Sequence, residues 1–257
     1  MIVPRRMLAL LLLSTLPAHA ADSPDEYASV HTVAIVSEMG NDVKAKYDGI
    51  TRFGHDDYAL HLNWDIDAYF VEKISASLKG RFTIVASPLD SRQLEDTGLF
   101  GHGPSPDAVK SVPEAQKVDA YIVVYPLPLV DGTIPPAILR DEGLFGLAHT
   151  SLYVTYQVTI IDGHTGQRIN YGSGKFPSRH NLTGYAPPMV ACDEALWSPT
   201  ADKVTDAQQA MLKTEMSALV DQSVPYALAA AKLITEDSAG QTAQSGSPLA
   251  AFCHPFP

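Results

Sequence analysis

DAYIVVY, residues 119–125, is a continuous apolar run after its opening Asp119, rich in β-branched and aromatic side chains, that Pro126 closes. A strand with one solvated face would alternate apolar with polar residues. A run without alternation predicts a strand buried on both faces, and helices are what usually cover such strands. VHTVAIVS (30–37) has the same character and predicts a second buried strand. A loop carrying Gly40, Asn41 and Asp42 follows it, and DGITRFG (48–54) predicts a short further strand. RFTIVA (81–86) supplies another, centred on Phe82 to Ala86.

Helical signals fall between and after these runs. Ile66, Tyr69, Phe70, Ile74 and Leu78 recur at helical spacing and mark one buried face. Asn63 is the expected N-cap, Asp65 and Asp67 suit the first turn, and Gly80 can end the helix. A shorter helix is expected over 107–117, weakened by Pro113. SLYVTYQVTII (151–161) reads as the longest strand. It turns through Asp162-Gly163-His164-Thr165-Gly166 and returns over 167–176, an antiparallel hairpin. Residues 177–199 are rich in proline and glycine. Thr205 with Gln208 fits a capping box at the start of a long helix, in which Pro225 predicts a kink or a break. The fold class is therefore α/β, with a mixed sheet, a long antiparallel hairpin, flanking helices and a long C-terminal helix.

The two ends of the chain set its compartment. Arg5 and Arg6 precede an apolar run from Met7 to Leu13, and Ala18-His19-Ala20 supplies a small-x-small site. Residues 1–20 therefore read as a secretory signal peptide cleaved near Ala20. Residues 21–29 form a short lead, and 30–235 a single α/β domain. The expected location is the periplasm or the exterior. No later run reaches the roughly 20 apolar residues a membrane span needs. In an oxidising compartment an isolated pair, Cys192 and Cys253, is most simply a disulfide. Its loop of 61 residues corresponds to roughly 4 kcal/mol in the chain-entropy model. EDSAGQTAQSGSP (236–248) has linker composition, so the bond would tether the tail 236–257 against the body.

Charge narrows the partners. Losing Arg5 and Arg6 takes the formal charge from −11 to −13. With no basic face in view, nucleic acid is not an expected partner. No cofactor motif is present. Tyr171-Gly172-Ser173-Gly174-Lys175 has neither the strand–helix setting of a phosphate loop nor that of a nucleophile elbow. His55, Asp57 and His61 are candidate ligands for a divalent metal and give the alternative reading, a secreted metal-dependent hydrolase. Their plainer reading is a solvated acidic loop leading into the first helix. The odd segment is 126–150, PLPLVDGTIPPAILRDEGLFGLAHT, a long apolar insertion without periodicity. Its Gly143-Leu144-Phe145-Gly146 repeats Gly98-Leu99-Phe100-Gly101. Leu99, Phe100, Leu144 and Phe145 are candidate partner contacts, for a protein or lipid of the envelope or a second copy of the chain.

The VAIVS strand, the helix running into RFTIVAS, the DAYIVVY strand and the VTIIDGHTGQRI hairpin together resemble a known layout. It is similar to envelope accessory proteins of the TolB amino-terminal domain, CsgG-like and transport-auxiliary types. The resemblance covers about residues 30–176, apart from the insertion. It implies a non-enzymatic binding or accessory role in the cell envelope. The chain departs from the lipoproteins of that group in having no anchor cysteine after the cleavage site.

Overall fold

In a computed structural model of the chain, residues 26–49, 55–89, 106–114, 117–142, 148–177, 185–245 and 252–254 are described. The segment read as a signal peptide lies outside them. The architecture is α/β, as the runs predict, but the strands divide between two large sheets. The first has the order β4-β1-β5-β8-β9, built from β1 (Thr32–Ser37), β4 (Thr83–Val85), β5 (Ala120–Pro126), β8 (Tyr156–Asp162) and β9 (Arg168–Ser173). Strands β4, β1 and β5 are parallel, while β8 and β9 run antiparallel.

Both faces of this sheet are buried, which is why its strands lack alternation. Val33, Ile35, Ile122, Val124, Val158 and Ile160 face a core shared with helices α1 (Ile66–Leu78) and α3 (Asp206–Ala230). Ala34, Val36, Tyr121, Val123, Tyr125 and Ile161 face a second cluster on the other side. That cluster is closed by Leu89, Val118 and Val109 of the short helix α2 (Pro106–Ser111).

The second sheet has the order β13-β12-β7-β6-β2-β3. It comprises β2 (Asp42–Asp48), β3 (His55–His61), β6 (Ala137–Glu142), β7 (Ala148–Tyr153), β12 (Met189–Cys192) and β13 (Cys253–His254). A small pair, β10 (Phe176–Pro177) and β11 (Tyr185–Ala186), lies apart. Three expectations are corrected here. The segment 38–47 contains β2, whose Val43 and Ala45 are buried between exposed Asp42 and Lys44. Two small apolar residues among charges made it look like a loop. The stretch 151–161 is two strands: β7 belongs to the second sheet and β8 to the first, with a break at Val154 and Thr155. The insertion 126–150 contains β6, whose core side is Ile138, paired in parallel with β2.

The helices carry further corrections. The cap of α1 is Asp65, whose Oδ1 accepts from the Ala68 amide at 2.9 Å, two residues beyond the expected Asn63. Asp67 does more than complement the helix dipole. Its carboxylate accepts from Ser37 Oγ (2.6 Å) and the Met39 amide (2.8 Å), tying the end of β1 to the start of α1. On the outer side of α1, Tyr69 donates to Asp221 of α3 at 2.8 Å, and Lys73 pairs with the same carboxylate at 2.9 Å. The Thr205–Gln208 capping box is present, and α3 runs unbroken through Pro225. Val224, Ala227 and Leu228 are buried around that proline, and their packing carries the helix across its missing amide.

Residues 236–245, expected to be linker, form helix α4 (Glu236–Ser245). Thr235 Oγ1 accepts from the Ser238 amide, acids occupy the first turn, and Ala239 is fully buried. Beyond it Cys253 is disulfide-bonded to Cys192 (S–S 2.04 Å), opposite it in the β12–β13 ladder. The Phe252 amide donates to Glu215, a fully buried acid of α3, and Phe252 O accepts from the Asp193 amide.

The seam between the sheets turns on Tyr156. Its ring is fully buried, edge-on to Phe70 at 4.8 Å, and its hydroxyl hydrogen-bonds Ser223 of α3 at 2.8 Å. Gly174 lies so close that a Cβ there would stand 2.5 Å from the ring. Gly174→Ala should cost about 1–3 kcal/mol, the range for forcing extra atoms into a packed interior. Gly240→Ala, in the open face of α4, should be neutral or stabilising by up to about 1 kcal/mol. Urea unfolding of both variants checks this contrast. Equal midpoints would refute the packing of Gly174 against Tyr156.

Candidate functional site

The chain crosses from the first sheet to the second between β5 and β6, and returns between β7 and β8. Both crossings meet on the outer face of the second sheet. Residues 127–134 run over that face as a strap. Its start is stitched to the β7–β8 bend, because the Leu127 amide donates to Thr155 O (3.0 Å) and Thr155 Oγ1 donates to Leu127 O (2.8 Å). The strap then turns, with the Gly132 amide donating to Leu129 O and the Leu129 amide to Thr133 O. Asp131 Oδ1 accepts from the Thr133 amide at 3.0 Å, and its other oxygen holds Lys46 of β2.

On one side of the strap is an apolar cleft of about 550 Å³. Leu127, Leu129 and Val130 of the strap form its roof, and Leu139, Tyr153 and Met189 of three neighbouring strands form its floor. Tyr156, Ser173 and Gly174 close the end nearest the first sheet. Val130 is fully exposed at the rim, an uncommon setting for an isolated apolar tip beside an apolar hollow. Three polar groups of the wall are hydrogen-bonded to other protein groups. Tyr156 bonds Ser223, Thr155 bonds Leu127, and Asp131 bonds Lys46 and Thr133. Size and composition fall in the range of small-molecule sites.

On the other side is a second hollow of about 520 Å³ whose walls mix apolar side chains with charged and polar ones, including Lys44, Lys46, Asp57 and Thr133. Asp131 lines both hollows. Burial pushes its carboxyl up, but the hydrogen bonds from Lys46 and Thr133 outweigh that and hold it down at about 2. Lys46 is raised in turn, chiefly by its hydrogen bond to Asp131.

The metal candidates do not gather at one point. His55, Asp57 and His61 lie on β3. At about 3.3 Å per residue, His55 and His61 are roughly 20 Å apart along it, far beyond the span of one ion's ligands. His61 Nδ1 instead meets Asp42 Oδ1 at 3.0 Å, across the β2–β3 ladder. Among the described residues no three His, Cys, Asp or Glu side chains form a metal-holding group. The expected solvated loop is a strand, and Asp57 belongs to the polar hollow.

Leu99, Phe100, Leu144 and Phe145 lie outside the described residues. Cys192 and Cys253 are joined and buried. The residues that sequence reasoning missed are Leu139, Tyr153 and Met189, because only strand pairing brings them together. The signal that could have found part of the site is the apolar 126–150 segment, whose first residues are the strap.

No family model matches the chain, and no curated protein matches it. Among solved structures, a hypothetical protein of Chlamydia trachomatis aligns over 56% of this chain and 71% of its own, at 13% identity and a TM-score of 0.25. No described helix is long and apolar enough to cross a membrane.

The Asp131–Lys46 contact predicts an acid-sensitive strap. Because the folded carboxyl is depressed from 3.8 to about 2, its stabilisation is complete above about pH 4. It is lost as pH falls through about 2. Amide exchange at Thr133, which donates to Asp131, should quicken over that window. In Asp131→Asn the rate, corrected for intrinsic exchange, should be high and flat. An unchanged rate from pH 5 to pH 2 in the native chain would contradict the latch.

Proposed function

We propose that the chain is a non-enzymatic binding protein of the cell envelope, secreted through its first 20 residues, and that the apolar cleft beneath the strap is where it binds. The observation that carries this is the pairing of an exposed apolar tip, Val130, with an apolar hollow in which Thr155, Tyr156 and Asp131 are already hydrogen-bonded to other protein groups. Such a wall recognises by apolar area and shape, and offers little to polarise or protonate a substrate. The bonded Cys192–Cys253 pair fits an oxidising compartment. The metal-dependent hydrolase reading loses its support with the separation of His55 from His61 along β3. The resemblance to envelope accessory proteins points the same way as the cleft.

A photo-crosslinking residue placed at Val130 should give a discrete adduct in intact cells, recovered in the periplasmic or secreted fraction. The same residue at Tyr171, exposed on the far edge strand β9, should give none. Leu139→Trp, which fills the floor of the cleft, should abolish the Val130 adduct while the melting temperature is retained. Equal adducts from both positions, or an adduct that survives Leu139→Trp, would overturn the assignment.

A further inference from the structure

We infer that the ligand is a zwitterionic amphiphile with a single acyl chain, the chain lying in the apolar cleft and the head group in the polar hollow. This rests on the reading of the cleft as a binding site. Two hollows of nearly equal size, about 550 and 520 Å³, meet at one residue, Asp131; the first is almost wholly apolar, and the second adds the charged side chains of Lys44, Lys46 and Asp57. A ligand spanning them must itself be apolar at one end and polar at the other.

The chain end is assigned by what the cleft withholds. Its floor strands β6 and β7 are paired on both sides, and β12 is paired with β7 along its length and with β13 at Ala191 and Cys192. An extended peptide would find little free edge there, and most of its own amides would enter an apolar cleft unpaired. An acyl chain has no such groups to satisfy. Burial then contributes about 0.8 kcal/mol for each methylene.

The head group is assigned by charge. Lys46 is matched by Asp131 and Asp48. Lys44 and Asp57 line the same hollow, and neither forms an ion pair with a described residue. Lys44 stands opposite Ala59, and Lys46 opposite Asp57, so Lys44 and Asp57 are diagonal neighbours across the β2–β3 ladder. Diagonal positions are about 7–8 Å apart, a gap that one head group carrying both charges can bridge. A cation and an anion with no ion-pair partner among the described residues suit a zwitterion, its phosphate at Lys44 and its ammonium at Asp57. A purely anionic head would leave Asp57 facing like charge, in a protein already at −11.

The test uses the secreted, disulfide-bonded chain and the neutral apolar dye N-phenyl-1-naphthylamine, displaced by competitors kept below their micelle concentrations. Lysophosphatidylethanolamine should displace the dye about tenfold more tightly than lysophosphatidylglycerol of the same chain. The double variant Lys44→Ala/Asp57→Ala should bring the two competitors together, with dye affinity unchanged. Leu139→Trp should remove dye binding with melting unaltered. Equal displacement by the two lipids, or a preference that survives the double variant, overturns the head-group assignment. Displacement by an apolar peptide and by neither lipid overturns the amphiphile and leaves the binding reading standing. A dye that never binds overturns both.

Discussion

The fold depends on where Tyr156 sits. A chain that leaves one sheet and enters another must bend, and a bend exposes backbone groups that a strand would have paired. Here the bend is two residues long, and its groups are taken up by neighbours on either side. The Val154 amide donates to Pro188 O, and Thr155 O accepts from the Leu127 amide. Tyr156 then fixes the direction in which β8 sets out. Its ring fills the space against Phe70 of α1, and its hydroxyl reaches Ser223 in the middle of α3. One side chain thus joins the first sheet to both long helices. Burial pushes its phenol far above the ordinary range, so the group is a neutral donor or acceptor at any working pH. Gly174 is required because any Cβ at that place would occupy the ring's space.

The same bend creates the cleft. Because β7 and β8 part company at Val154 and Thr155, the outer face of the second sheet is open to the first sheet's end. The β5–β6 connection has to cross that opening, and it does so as a strap of apolar residues latched by Asp131 to Lys46. The cleft is a consequence of the topology and needs no specialised loop beyond the strap. Its lower boundary is rigid, since Leu139, Tyr153 and Met189 stand on paired strands. The strap touches the body through a few hydrogen bonds and one ion pair. Segments held in this way open at lower free energy than the core. A floor of paired strands thus lies beneath a lightly held roof, the arrangement that entry of the proposed ligand from the side requires.

Part of this was legible in the chain itself. DAYIVVY and TVAIVS lie on a sheet covered on both faces, so their unbroken apolar character reports their burial directly. The capping box at Thr205 and the stripe from Ile66 to Leu78 also placed their helices, because local pattern and tertiary packing agree there. What could not be read were the elements whose identity comes from partners far along the chain. Among the described residues of β2 and β3 only Val43, Ala45 and Leu60 are buried, and the two are strands because they pair with each other and β2 pairs with β6. Likewise 151–161 has one continuous β-type composition, and nothing in it marks Val154 as the point of division. Helix α4 was hidden by its Ser, Gly and Gln content, although Thr235 and its acids were signals of a helix start. The cleft could not be assembled from sequence at all. Its floor draws single residues from β6, β7 and β12, 14 and 36 positions apart along the chain. The candidate metal residues failed for the opposite reason, since neighbours in sequence are spread along an extended strand.

We propose that the cleft at the seam is the binding site and that its ligand lies along the floor. The most direct measurement is an NMR titration of the methyl-labelled chain with lysophosphatidylethanolamine. The methyl signals of Leu127, Leu129, Val130, Leu139 and Met189 should shift together and saturate. Those of Ile84 and Val85 on β4, the far edge strand of the first sheet, should stay in place. Shifts confined to that far edge, or no saturable shift at the floor residues, would contradict the proposal.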